Sequence, residues 1–321
     1  MSQVARVSSS ALRRRVPTAM VYGAVVLAAI VIGPPWFHLA VLLGALLAYR
    51  ELWRLFARTA YAPSLAGGFA LVIVFVILHV SSASARAAQL SPVSVTRTLD
   101  QLCADASAPL AARLVCALAD VRLDGVIAAA LLVAGAAALR RSETARGLVS
   151  AAATLVGALY CGWLLGYLID IADVGAAAAG PHAEGILQRS WIFLAIFPTW
   201  ASDLAAYGVG SLLGRRKLLA RVSPGKTVEG TLGGLAAAAI IAVLIAGLVE
   251  FPLWVGLAAG VIVGIAAPFG DLVESAIKRA AAAKDSGDLL PGHGGVLDRL
   301  DSLIFVAPAL SLFFELALRF S

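Results

Sequence analysis

Most of the side chains able to do chemistry in this chain lie in one stretch, "GDLVESAIKRAAAAKDSGDLLPGHGGVLDRLDS", residues 270–302. Asp271, Ser275 and Lys278 recur at i, i+4 and i+7, a spacing that puts them on one helix face. A short Ala-rich helix leads to Lys284 and Asp285, and "PGHGG" then forms a turn whose glycines permit close backbone approach to a ligand. Asp298 and Asp301, at i and i+3, can again share a face, with Arg299 beside them. Two carboxylates brought together from separate helices can hold Mg²⁺, which takes its other ligands from water and phosphate oxygens. Neighbouring Lys and Arg can neutralise a polyphosphate and the charge that builds on a leaving pyrophosphate. Alignment and charge stabilisation dominate such a transfer, and the protein supplies little covalent chemistry. A solvated loop with salt-bridged helix ends would account for Lys278 and Lys284, but poorly for Asp271 and Asp298 at membrane depth.

Two further polar groups precede this stretch. "SPGKTVEGTLGG", residues 223–234, sets Ser223, Lys226 and Thr227 just before a helix. The exposed N–H groups and positive dipole end of a helix favour phosphate oxygens there. A capping turn after a cytoplasmic loop is the structural alternative, with Glu229 as capping carboxylate or partner of the site. No G-x-x-x-x-G-K-[ST] loop occurs. "SDLAAYGVGSLLGRRK" holds Asp203 and Tyr207. An intramembrane carboxylate is costly and therefore a functional candidate; a helix-end Asp bonded to nearby backbone is the structural alternative.

The elements that must position these residues are set by composition. Hydrophobic residues make up 61% and charged residues 14% of the 321, and mean hydropathy is +0.92. Soluble domains run near ~45–50% apolar and ~25% charged, so the solvent is a bilayer. Apolar runs near the ~20 residues that cross a membrane fall at 17–34, 36–49, 62–80, 123–139, 147–170, 191–212, 231–249, 251–273 and 301–319. The expected fold is an all-α polytopic membrane protein of about nine transmembrane helices. With the N-terminus cytoplasmic, about 19 of the 25 Lys and Arg lie inside. Residues 1–170 then form N-terminal helices with an extracytoplasmic loop near 81–122, and residues 171–321 a catalytic transmembrane region. The basic N-terminal segment reads as a retained anchor, since no small-x-small cleavage site follows it. The +6 net charge reflects topology and anionic headgroups; no basic stripe interleaved with aromatics points to nucleic acid. Cys103 and Cys116 share the long loop, where a disulfide or two free thiols are equally consistent with the sequence. Cys161 lies within a span as a small packing residue.

The run Ser275, Lys278-Arg279, Lys284-Asp285, Pro291, His293-Gly294-Gly295 and Asp298-Arg299-Leu300-Asp301 resembles the signature of the phosphatidate cytidylyltransferase (CDP-diglyceride synthetase) family. That signature runs S-x-x-K-R-x4-K-D, PGHGG, then DR and D. Ala276 is smaller than the aliphatic residue usual after the serine. "SPGKTVEG" is similar to the family's S-P-x-K-T-x-E-G, and "DLAAYGVG" to its D-x-x-A-Y-x-x-G. The resemblance covers residues 200–302 in detail and the architecture loosely; the N-terminal half adds no motif. It implies a bacterial inner-membrane enzyme with its site on the cytoplasmic side. Such an enzyme joins CTP and phosphatidic acid to give CDP-diacylglycerol and pyrophosphate. It uses Mg²⁺, with K⁺ described beside it in family members, and is expected to form a homodimer. Carried over by position, Asp271 and Asp298 become metal ligands and catalytic residues, with Lys226 beside them. Lys278, Arg279, Lys284 and Arg299 would bind triphosphate or lipid phosphate. Ser223, Thr227, Ser275 and His293 would be polar contacts to substrate.

Two other classes compete. A transporter also uses intramembrane carboxylates and broken helices, but no internal repeat is visible here and the polar residues cluster at one end. A CTP-using lipid kinase would move the γ-phosphoryl group instead. The D-G-x-x-A-R pattern of CDP-alcohol phosphotransferases is missing.

Overall fold

The computed structural model describes residues 9–57, 59, 61–90, 123–139, 144–178, 190–289 and 294–319. The described residues form nine helical rods and one small hairpin. The helices are α1 (Ser9–Ile32), α2 (Trp36–Phe56), α3 (Leu65–Leu90), α4 (Leu123–Leu139) and α5 (Thr144–Ala158). A π turn, Leu159–Trp163, carries α5 without a break into α6 (Leu164–Ala178). Then come α7 (Ser190–Leu213), strands β1 (Lys217–Leu219) and β2 (Ser223–Thr227), α8 (Val228–Leu248), α9 (Leu253–Ala280) and α10 (Leu297–Arg319).

Six rods are long and apolar enough to cross a membrane: Leu65–Ala83, Ala145–Gly175, Trp191–Leu213, Val228–Leu248, Leu253–Ala280 and Leu297–Leu318. This is the all-α polytopic fold the hydropathy implies. A spanning helix satisfies every backbone group within itself, which hydrocarbon demands. The side chains follow the same solvent. Leu204, Leu212, Ile240, Leu248 and Ile265 are more than half exposed, whereas the residues that α8 buries are small.

That inversion appears most clearly on α8, whose buried residues are Gly230, Gly234, Ala238, Ala242 and Ala246. Gly256, Gly260 and Gly264 of α9 press against it; a Cβ at Gly260 would lie 2.5 Å from the Ala239 Cα. Between helices in lipid, small residues let backbones approach and dispersion do the work that water expulsion does elsewhere. On the other face, a Cβ at Gly234 would lie 2.9 Å from the Ser202 carbonyl of α7. So α7, α8 and α9 pack as a close-set sheet of helices.

Several boundaries move from the sequence reading. The second rod extends to Phe56, seven residues past its expected end, and carries Arg50, Glu51 and Arg54. The third extends to Leu90, so the loop expected from 81 starts later; the rest of that loop, with Cys103 and Cys116, lies outside the described residues. No separate Ala-rich helix follows Lys278, because α9 continues unbroken to Ala280. The last rod starts at Leu297, which places Asp298 and Asp301 in its first turns. Two short antiparallel strands, pairing Lys217 with Thr227 and Leu219 with Ser223, complete the fold.

Two polar pairs lie between the N-terminal helices. His79 Nδ1 of α3 is 2.9 Å from Asp170 Oδ2 of α6, both almost wholly buried. His38 Nε2 of α2 is 3.0 Å from Asp173 Oδ1, one turn further on.

Candidate active site

The positions of α9 and α10 decide the site. A Cβ at Gly270 would fall against the Asp301 carbonyl, so only glycine allows the two helices to cross this closely. The crossing brings Asp271, Glu274 and Asp301 together, with one oxygen of each lying within 4.8 Å of the others. Asp271 and Glu274 sit three apart on α9, and Asp301 faces them from the second turn of α10. Glu274 and Asp301 are buried, and Asp271 is about one-third exposed.

Two lysines stand among these acids. Lys226 Nζ, at the end of β2, is 2.6 Å from Asp271 Oδ2 and also reaches the Pro268 carbonyl at 3.4 Å. Lys278 Nζ is 2.5 Å from Glu274 Oε2 and 2.6 Å from Asp298 Oδ1. Beyond that ion pair, neither oxygen of Glu274 receives a hydrogen bond from a described residue, although both are buried. Uncompensated buried acceptors are costly. Three oxygen donors from two helices, one acid short of donors, suit a hard divalent cation that keeps water or phosphate oxygens as its other ligands.

Asp298 sits differently. Its oxygens accept from the Gly295 N–H at 2.8 Å, the Ser286 N–H at 3.1 Å and the Ser286 hydroxyl at 2.9 Å, besides Lys278. It lines the same cleft as Asp271, yet it is not part of the three-acid cluster. Its geometry is that of an anion holding Ser286 and Gly295 at the start of α10.

The cleft has a volume of about 950 Å³ and is lined by residues of α7, the hairpin, α9 and α10. Asp203, Ser223, Lys226, Thr227, Asp271, Lys278, Asp285, Asp298, Arg299 and Asp301 all face it. Thr227 also caps α8, its Oγ1 accepting from the Gly230 N–H at 3.1 Å. Glu229 accepts from the Arg215 and Arg216 N–H groups, which ties the first turn of α8 to the link between α7 and β1. That turn therefore caps a helix and brings Lys226 to the cleft.

Other expected residues stand further off. Ser275 Oγ donates to Asp271 Oδ1 at 3.3 Å without lining the cleft. Arg279 donates to the Val222 and Ala283 carbonyls, bracing the hairpin against the end of α9. Lys284 is exposed and does not line the cleft. His293 lies outside the described residues.

Sequence reasoning missed Glu274 and Glu51. Glu274 could have been found from its spacing, because Asp271, Glu274 and Lys278 fall at i, i+3 and i+7 on one face. Glu51 is a buried carboxylate of α2 that reaches the start of α10, and no local motif announces it.

A second, apolar groove of about 560 Å³ runs beside the cleft between α8, α9 and α10. Leu232, Leu235, Ile265, Phe269 and Phe305 line it, and Thr231 and Pro268 belong to both spaces.

The chain is similar in sequence to known proteins. The Cytidylyltransferase family model matches residues 13–317. The phosphatidate cytidylyltransferase of Synechocystis sp. is 39% identical over 184 residues, covering 51% of this chain and 62% of the relative. That of Bacillus subtilis is 40% identical over 165 residues, 51% of this chain and 57% of the relative. That of Staphylococcus saprophyticus is 35% identical over 195 residues, 60% of this chain and 69% of the relative. The matched region thus spans roughly three-fifths of these relatives' length, as the percentages show. A family match that runs from α1 to α10, over a cleft of acids and lysines between packed helices, places this chain in the cytidylyltransferase family.

Proposed function

We propose that this chain joins CTP to phosphatidic acid, forming CDP-diacylglycerol and pyrophosphate. The observation that carries the proposal is a polar cleft of acids and lysines that shares Thr231 and Pro268 with an apolar groove open along lipid-facing helices. A water-soluble nucleotide and a lipid phosphate need such a meeting place. The names of the relatives support the same reaction.

A phosphate oxygen of the lipid attacks the α-phosphorus of CTP in line. A new P–O bond forms, the bond from the α-phosphorus to the α–β bridging oxygen breaks, and pyrophosphate leaves with that electron pair. The nucleophile is already an anion, so no general base is required. Asp271, Glu274 and Asp301 would hold Mg²⁺; Asp298 would hold Lys278 and the loop before α10. Bound there, the ion supplies charge neutralisation for the polyphosphate and for the leaving group. Lys226 and Lys278 lie between acids and substrate space, where their ammonium groups bind phosphate oxygens, and Arg299 adds charge at the cleft wall. Ser223 and Thr227 present hydroxyls to the same space. One acyl chain lies in the groove beside Leu232, Ile265 and Phe269, leaving the headgroup in the cleft. The excess of Lys and Arg on one side of the predicted spans supports a cleft at the cytoplasmic face of a bacterial inner membrane.

The test uses purified protein in detergent with phosphatidic acid, Mg²⁺ and CTP labelled either in the cytosine or in the γ-phosphate. Cytosine label entering the organic phase, with γ-label released as pyrophosphate, is the expected result. Transfer of γ-label to lipid would make the protein a kinase, and no turnover would leave a transporter or binding role.

A further inference from the structure

Glu51 belongs to α2 and does not line the cleft, yet it is 1% exposed and aimed at the site's supporting loop. Its Oε1 accepts from the Val296 N–H at 3.0 Å and its Oε2 from the Leu297 N–H at 2.8 Å. These are free donors at the N-terminus of α10, where the helix dipole also favours an anion. The Ser286 hydroxyl lies 3.1 Å from Glu51 Oε2 and 2.9 Å from Asp298 Oδ2, so one O–H sits between two carboxylates. Asp298 then meets Lys278, and Lys278 meets Glu274. An unbroken polar chain therefore runs from Glu51 through Ser286, Asp298 and Lys278 to Glu274. The loop closes tightly over its first member: a Cβ at Gly287 would lie 2.8 Å from Glu51 Oε1.

A buried carboxylate is an expensive way to hold two helices together, and well-packed apolar residues often do that at lower cost. What an acid supplies that an apolar residue cannot is a fixed position for the backbone donors at the helix start. Asp301 sits one turn beyond those donors, on the same rigid helix, and faces Asp271 and Glu274. We propose that Glu51 is a positioning residue for the three-acid cluster, setting the depth and rotation of α10 so that Asp301 meets the two acids of α9. This inference rests on the reading of that cluster as a metal site.

The experiment is a Mn²⁺ titration of the purified full chain in detergent, read by electron paramagnetic resonance. Wild type is compared with Glu51→Gln, Ser286→Ala and Tyr49→Phe. Glutamine keeps the shape but turns one acceptor into a donor facing backbone N–H groups. Tyr49→Phe is the control, since Tyr49 lies two residues from Glu51 on α2 and its hydroxyl bonds the Ser64 carbonyl rather than the start of α10. Glu51→Gln should weaken Mn²⁺ binding about tenfold or more, in the ~10–100-fold range of residues that orient metal ligands. Ser286→Ala should weaken it about threefold or more, and decides the matter alone if Glu51→Gln does not accumulate. Tyr49→Phe should lower the melting temperature and leave Mn²⁺ affinity unchanged. Affinities of the two network variants within twofold of wild type would overturn the proposal, as would a wild type that binds no Mn²⁺. Cytidylyl transfer is assayed in parallel: a wild type that binds Mn²⁺ but makes no CDP-lipid refutes the proposed reaction and leaves the anchor standing. Full turnover with unaltered Mn²⁺ affinity in Glu51→Gln and Ser286→Ala removes only the anchor.

Discussion

Lys278 offers the sharpest test of how charge is organised at the site. Its ammonium lies 2.5 Å from Glu274 and 2.6 Å from Asp298, and the side chains of all three are at most 13% exposed. Lys278→Met keeps most of the aliphatic stem and removes the cation that bridges Glu274 and Asp298. Breaking a buried pair on one side costs about 3–5 kcal/mol, mostly because the remaining charge is uncompensated. Here one cation serves two acids, and Asp298 keeps three other donors, so Glu274 bears most of the loss. For a domain of this size about 1 kcal/mol corresponds to ~2–4 °C, which gives a fall on the order of 10 °C in melting temperature. Thermal unfolding in detergent, followed by size-exclusion chromatography, measures it. The double variant Lys278→Met/Glu274→Gln removes the stranded charge together with its partner and should regain most of that stability through strong pairwise coupling. Cytidylyl transfer should stay lost in both, because Glu274 also belongs to the three-acid cluster. A single variant melting within about 2 °C of wild type, or a double variant no more stable than the single, would refute this account of the buried charges.

Other perturbations separate the parts of the site. Gly270→Val should abolish transfer by prising α9 from α10, and its readout is activity per folded protein against Gly247→Val, a position with only ordinary contact to Leu253. Phe269→Ala should raise the KM for phosphatidic acid severalfold while leaving the KM for CTP within twofold, since Phe269 lines the apolar groove and not the cleft. Thr227→Ala should lower stability by about 1 kcal/mol through loss of the α8 cap, seen as a lower melting temperature with transfer reduced less than in Lys226→Met.

How much of this was legible beforehand depends on the range of the interaction. The apolar runs announced the helices, since burial in lipid acts on each segment separately, and the boundaries slipped wherever polar residues continue a helix past the membrane. Asp271 and Lys278 were readable from their spacing as sharing one face of α9, whereas Lys226, on the hairpin, joins them only through the family resemblance. Glu274 was overlooked on the face already drawn for Asp271 and Lys278, one turn away from each. The family resemblance makes Asp298 a metal ligand; in the structure Ser286, Gly295 and Lys278 surround it. That surrounding depends on Ser286 and Gly295 meeting at the start of α10, which no periodicity records. Glu51 lay beyond reach altogether, because its partners are 235 to 246 residues away in the chain. The glycines at 256, 260 and 264 were visible at four-residue spacing, but only the neighbouring backbone shows what they admit.

The most direct measurement is an anomalous-scattering experiment on crystals of the full chain soaked with Mn²⁺ and a non-hydrolysable CTP analogue. An anomalous peak at bonding distance from carboxylates of both α9 and α10, among Asp271, Glu274 and Asp301, with the analogue's phosphates against it, is the predicted result. A peak bound by Asp298 alone, or a nucleotide seated away from the three acids, would contradict the account.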